Sequence, residues 1–430
     1  MPRRTLTENS EVYISGKRDY LTAVTLIRRK AMTDQKQIEE QGSKKVSRRN
    51  VLKAAVAAGG AAVLGFPNIV KAQGVTTMRW QSTWPTKDIF HEFALDFAKK
   101  VVEMTGGDLK IEVLPAGAVV PAFGVLDAVS KGTLDGAHGV LSYHYGKSNA
   151  LALWGSSPAY GMDANMILSW HKYGGGKELL NKIYNSLGVN VVSFPYGPMP
   201  TQPLGWYKKP VTKPDDFKGM KFRTVGISID LFQGMGAAVN ALPGAEIIPA
   251  MDRGLLDAAE FNNASSDRAL GFQDVSKVCM LQSYHQNGEQ FEILFNKTKF
   301  DGLPEKMRAI IGYAVEAASQ DMSWKAIDRY SKDYIELQTK DKVRFYRTPD
   351  SVLQKQLEVF DQVEAKKSAE VPMFKDVAES QRAFAARAVK WDLDTNVGRR
   401  MAYNHYFAKP AAKPAAPAAK PAATTEGKKS

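Results

Sequence analysis

One cysteine, Cys279, stands among 430 residues, which excludes an internal disulfide and every CxxC redox or zinc pattern. Between Val278 and Met280 it reads as a buried apolar residue, the usual fate of a free cysteine. Motifs for catalysis are equally scarce. No GxSxG, HExxH, P-loop or GxGxxG occurs, and His91, His138, His144, His171, His285 and His405 do not pair at metal-ligand spacing on one helix. A membrane span is missing too: the uncharged stretch from Ala54 to Val70 is 17 residues, dominated by Ala and Gly and interrupted by Pro67, too short and too weak to cross a bilayer.

What the chain has is enough apolar material for a substantial core, 44% of its residues, and length for two or three domains. The net charge of +13 points at first to nucleic acid or an acidic membrane. Its distribution removes that reading. Residues 1–73 carry 14 Lys/Arg against 6 Asp/Glu, and residues 408–430 carry 5 against 1, which leaves 39 against 38 between them. The folded body is close to neutral, so no nucleic-acid partner is expected.

The two ends explain the excess. Residues 1–46 are polar, mixed in charge and without periodicity, and read as a non-structural extension. Residues 47–72 begin with Ser47-Arg48-Arg49, continue through the Ala/Gly-rich run and finish on Val70-Lys71-Ala72, the pattern of a twin-arginine export signal with a cleavage site after Ala72. A start codon nearer Met32 would suit a signal placed so far in. Residues 408–430, Ala/Lys/Pro of low complexity, read as a solvated extended tail.

Between the ends, strand and helix patterns alternate. Met78 to Ser82 reads as a strand, Thr86 to Met104 as an amphipathic helix with Phe90, Phe93, Phe97 and Val101 on one face, and Leu109 to Leu114 as the next strand. A helix over Ala122 to Lys131 and a strand from Gly136 to Leu141 repeat the unit, and one helix is expected from Ala164 to Leu187. Strands follow at Val189 to Phe194 and Gly205 to Lys208. Pro195, Pro198, Pro200 and Pro203 between them suit a crossover better than a sheet interior. A second crossover runs from the strand Val278 to Leu281 through Gln286-Asn287-Gly288 to the strand Phe291 to Asn296. Two long helices, from Pro304 to about Thr339 and from Asp350 to Val371, close the body.

The stretch Phe217 to Asn263 organises the rest. Met220 to Thr224 is a short strand that delivers Arg223 to its end. Gly226 opens a helix that Gly236 stops, Pro243-Gly244 turns the chain, and Ala258 to Phe261 is another strand tip, ending beside Glu260. Open α/β sheets place ligands at such carboxyl ends. "LDAAEF" here echoes "LDGAHG" at 134–139, so two related halves are expected, each with a strand end beside a cleft. A guanidinium held there offers paired donors to a carboxylate, and burying it unpaired would cost several kcal/mol. Asp230 and Glu260 are the carboxylates that could pair with it instead.

"GMKFR" at 219–223, "IPAMDRGLLDAAEF" at 248–261 and "FNK" at 295–297 stand in order and spacing similar to the solute-binding subunits of tripartite ATP-independent periplasmic (TRAP) transporters, and the resemblance extends over roughly Thr76 to Phe407. It implies an α/β fold of the two-lobe periplasmic binding protein type: two βα lobes joined by crossover strands, with long C-terminal helices. The boundaries expected are 73–197 for the first lobe, 198–289 for the second, and 290–407 for the return strand and the helices packing on both. It implies a periplasmic receptor, not an enzyme, that passes a small carboxylate, a 2-oxo acid or related monocarboxylate, to the membrane subunits of a transporter. Some members form a homodimer through a C-terminal helix.

By the same resemblance Arg223, Gln202, Tyr143, Phe261 and Gln286 would bind the ligand, and Gln202, Glu260 and the backbone carbonyl of Phe261 would hold a Na⁺ or Ca²⁺ bridging to it. The sequence departs from the family pattern twice: Phe261 stands where Trp is usual, and Gln286 where a further carboxylate is expected. Trp84 and Tyr145 are further candidates for the cleft wall. The alternatives are a twin-arginine-exported hydrolase or oxidoreductase, which turnover or a cofactor's absorption would reveal, and a structural envelope protein, which no ligand would stabilise.

Overall fold

The computed structural model describes residues 74–407; the extension, the export signal and the C-terminal tail lie outside them. The first lobe opens with β1 (Thr76–Ser82), α1 (Ile89–Met104), β2 (Leu109–Leu114), α2 (Val125–Ser130) and β3 (Gly136–Val140). Asp88 starts α1 as an N-cap, accepting from the Phe90 amide, and the face carrying Phe90, Phe93, Phe97 and Val101 is buried. Next come α3 (Ala164–Tyr173) and α4 (Gly176–Ser186), where the sequence suggested one helix. The break falls at Gly174-Gly175: Gly175 has φ +91, and a Cβ on Gly174 would sit 2.7 Å from Trp170 and 2.8 Å from Phe384.

β4 (Val191–Met199) runs further than expected and takes in Pro195 and Pro198. It can do so because it is an edge strand, paired only with one neighbour, so the missing amides interrupt no second ladder. The second lobe follows: β5 (Gly205–Tyr207), β6 (Lys221–Arg223), α5 (Ser228–Gly234), β7 (Ala238–Asn240), α6 (Gly244–Asp252), β8 (Ala258–Ala259), α7 (Ala264–Leu270), α8 (Phe272–Val275) and β9 (Val278–Leu281). The chain returns along β10 (Glu289–Asn296) into α9 (Lys297–Asp301) and α10 (Glu305–Thr339). It ends with β11 (Arg344–Arg347), α11 (Asp350–Glu370), α12 (Pro372–Thr395) and α13 (Arg399–Phe407).

Two sheets result, in the orders β2-β1-β3-β10-β4 and β11-β9-β5-β8-β6-β7. They share a plan. β1 lies parallel between β2 and β3, as β6 lies parallel between β7 and β8. Antiparallel β10 then follows β3, and antiparallel β5 follows β8. The echo of 134–139 in 256–261 is therefore an echo of β3 in β8, and it sets His138, in the middle of β3, at the position equivalent to Glu260, just past the end of β8. Each sheet has a strand that arrives from the other through a crossover, 200–204 or 282–288. Helix α10, 35 residues long and so about 52 Å, packs on α1 and β4 of the first lobe and on α7 of the second, bracing both.

Candidate functional site

Arg223 ends β6 and Glu260 follows β8, and the pairing of Arg223 with Ala259 brings the two side by side. Both are buried, and Nη1 lies 2.8 Å from Glu260 Oε1. The same Nη1 donates to the Glu260 carbonyl at 2.9 Å, and Nε donates to the Leu242 carbonyl at 2.8 Å. The sequence suggested a guanidinium fork free to clamp an anion. The structure corrects this: the fork is largely spent on protein, and among the described residues only Nη2 makes no protein hydrogen bond. Asp230, the other partner considered, instead accepts from Tyr145 and pairs with Lys367 at 3.0 Å. Tyr145 is thereby placed outside the cavity wall, while Trp84, Tyr143 and Phe261 form part of it.

The crossovers supply the remaining polar groups. Gln202 donates its backbone amide to the Gln286 carbonyl at 3.3 Å, and both side-chain amides turn their Nε2 to Glu289 Oε2. Glu289 Oε1 accepts from Ser142 of the first lobe. Sequence reasoning looked for a carboxylate at position 286, found Gln and missed Glu289, three residues further on at the start of β10. Its backbone pairing with Met199 on β4 could not be foreseen from spacing alone.

Three buried oxygens in this cluster make no hydrogen bond, Glu260 Oε2, Gln202 Oε1 and Gln286 Oε1; the Thr224 hydroxyl stands near enough to Glu260 to draw its carboxyl down, whereas the two amide oxygens have no donor beside them. Buried acceptors left without donors cost about 1–3 kcal/mol each, so the cluster is built to receive something electropositive. Burial raises the Glu260 carboxyl while Arg223 pulls it back down. Burial likewise pushes Glu289 up to about 8 and the Tyr143 hydroxyl up to about 12. The 2.8 Å pairing with Glu260 offsets the guanidinium's charge, and burial favours the protonated form of Glu289. An arriving anion therefore meets no net positive charge. A hard cation held by Glu260, Gln202, Gln286 and the Phe261 carbonyl would supply it, and oxygen-only donors suit Na⁺ or Ca²⁺. No cluster of three His, Cys, Asp or Glu side chains set to hold a metal occurs among the described residues.

The space at the cluster is about 10 Å³, walled by Trp84, Phe90, Val140, Met199 and Val225 together with Arg223, Gln202, Gln286, Glu289, Ser142, Tyr143, Phe261 and Asn262; Glu260 is buried against Arg223 and is not part of this wall. Such a space has room for about one water, so the lobes are closed and must part to admit a ligand. Contacts across the gap include Ser266 Oγ donating to Asp88 at 2.6 Å and the packing of Phe261 against Trp84 and Phe90 at 6.4 and 5.9 Å between ring centres. Gly226, with φ +64, presses so near Ser156 that a Cβ would lie 2.1 Å from its Oγ.

A two-lobe fold with a closed polar site fed by both crossovers defines a solute-binding receptor, and the comparisons with known proteins agree. Residues 81–370 match the bacterial extracellular solute-binding protein family 7 (DctP), and the chain belongs to that family. A monocarboxylate 2-oxoacid-binding periplasmic protein of Nostoc is 36% identical over 251 residues, 58% of this chain and 68% of that one. Two solved TRAP solute-binding proteins are each 25% identical. One, from Bordetella bronchiseptica, has a TM-score of 0.73 over 78% of this chain and 98% of its own, and forms a mixed-occupancy dimer with copurified calcium and picolinate. The other, from Pseudoalteromonas atlantica, has a TM-score of 0.71 over 77% and 99% and holds sodium and pyruvate. The enzyme reading finds no support among them.

Proposed function

We propose that this protein is a periplasmic receptor that closes on a small 2-oxo monocarboxylate together with a Na⁺ or Ca²⁺ and delivers the acid to the membrane subunits of a TRAP transporter. The observation that carries the proposal is the buried Arg223–Glu260 pair together with the unpartnered oxygens of Glu260, Gln202 and Gln286. In this reading Gln202, Glu260 and the Phe261 carbonyl hold the cation, joined by Gln286. Arg223 Nη2 and Tyr143 hold the acid, and the apolar walls exclude water. Micromolar affinity corresponds to about 8 kcal/mol, within reach of one desolvated ionic contact and a few hydrogen bonds.

Export by the twin-arginine route belongs to the proposal and rests on Arg48-Arg49 and the run behind them. So does a homodimer through the C-terminal helices, supported by the exposed Trp391, Leu393, Met401, Tyr406 and Phe407 and by the dimer of the Bordetella relative. Native mass spectrometry of the protein purified from periplasm tests the reading: a bound acid of low mass with one metal ion is expected, and a chain that carries no small molecule and gains no thermal stability from any 2-oxo acid would overturn it.

A further inference from the structure

Behind the closed cavity lies a larger cleft of about 520 Å³, walled by Trp206, Leu281 and Phe345 of the second lobe and by Tyr334 and Ile335 of α10. Gln202 and Asn262 line both spaces, which places these two residues between them. Both side chains are held weakly. Gln202 reaches Glu289 at 3.4 Å, and Asn262 gives its amide to the Met199 thioether at 3.4 Å, sulfur being a poor acceptor. Gln202 has a polar task on the cavity side. Asn262 has none there: besides the sulfur contact its side chain accepts a 2.8 Å hydrogen bond from Asn263 Nδ2, and its backbone N–H donates to Asp267, so a turn of this side chain breaks no bond of the polar cluster.

We propose that Asn262 is a gate and that the cleft behind it receives the hydrocarbon tail of the bound acid. The inference rests on the carboxylate-binding reading and extends it to 2-oxo acids with an apolar chain of several carbons. The head group stays on the polar cluster, and the tail leaves past Asn262 along an apolar path that ends at the surface. Each methylene so buried raises affinity about fourfold.

Calorimetry on the full chain with pyruvate, 2-oxobutyrate, 2-oxohexanoate and 2-oxooctanoate tests this, in buffer containing Na⁺ and Ca²⁺. Affinity is expected to climb with chain length. Ala264→Trp, which fills the cleft, abolishes that climb and leaves the pyruvate Kd within about twofold; Ile335→Trp, at an exposed position on the rim, gives the same result should the first variant fold poorly. Asn262→Ala steepens the climb. Wild-type affinity that falls with chain length overturns the proposal, as does a filled cleft that weakens pyruvate and the long acids equally. Should the variants change only the oligomeric state in light scattering, the cleft is an interface between copies and the tail reading is wrong. If pyruvate and every longer acid fail to bind, the carboxylate reading falls as well.

Discussion

Replacing Glu260 with Gln separates the two roles assigned to its carboxylate, counter-ion to Arg223 and ligand to a cation. The change removes a charge and almost no volume from a pair whose side chains are each 1% exposed. Leaving one partner of a buried pair uncompensated costs about 3–5 kcal/mol. The lower end applies here because the carbonyls of Leu242 and residue 260 remain on the guanidinium. A loss of about 3 kcal/mol lowers Tm by roughly 5 °C in a body of this size. The second consequence concerns the ligand. In the wild-type chain an acid meets a neutral pair and needs a cation; in Glu260→Gln the acid's own carboxylate becomes the counter-ion Arg223 lacks. In tetramethylammonium buffer with chelator, pyruvate should therefore raise the Tm of the variant and leave the wild type unmoved until Na⁺ or Ca²⁺ is restored. Scanning fluorimetry in which both proteins respond alike without cations, or in which the variant melts with the wild type, refutes the reasoning.

Closure should be as sensitive as the site itself. Gly226→Ala places a methyl against Ser156 and Ser142 and should weaken ligand binding at least about tenfold with the circular dichroism spectrum intact; unchanged affinity would show that the contact is not part of closure. Ser266→Ala removes the donor to the buried Asp88 across the lobes and should cost roughly 1–2 kcal/mol of binding, read by calorimetry, whereas an unaltered Kd would place that bond outside the closing motion. The ligand-free protein should also lose stability in mild alkali. Burial raises Asp88 to about 6, Asp267 to about 7 and Glu289 to about 8, so each keeps in the folded state a proton that the unfolded chain has released, and its stabilisation disappears as pH climbs through those values. His138 and His285, lowered to about 3 by burial, act in the opposite sense, but only below about pH 6.5. Stability should fall between about pH 6.5 and 8, by on the order of 1 kcal/mol per pH unit for each group still protonated in the folded state, Asp267 up to about 7 and Glu289 up to about 8, and Glu289→Gln should flatten the upper part; a Tm that rises across this window contradicts the assignment.

Much of the fold was legible because its signals are local. The Phe90, Phe93, Phe97 stripe, the strand ends at Arg223 and Glu260 and the echo of 134–139 in 256–261 all follow from periodicity and repetition. What stayed hidden depended on neighbours distant in the chain. Pro195 and Pro198 fit within β4 because β4 is an edge, a property of the sheet and not of the strand. β7 and β11, of three and four residues, are too short to show alternation, and Gly174-Gly175 splits a helix through the approach of Trp170 and Phe384. In the site, Arg223, Gln202, Gln286, Tyr143 and Phe261 converge on one cavity, and Glu260 is buried in a pair with Arg223. Glu289 escaped notice because only the path of the second crossover sets it beside Gln202 and Gln286, and Asn262 because its place in the lining depends on the approach of Met199 from β4. The sequence also left open which carboxylate neutralises Arg223; strand order decides for Glu260, since β6 pairs with β8.

The central claim is that an acid and a cation enter this buried cluster together. Calorimetric titration of pyruvate into the purified wild-type chain, before and after removal of Na⁺ and Ca²⁺, addresses it most directly. The account predicts micromolar binding with cation and a loss of at least about tenfold without it. Equal binding in both buffers, or no heat with any 2-oxo acid in either, would contradict it.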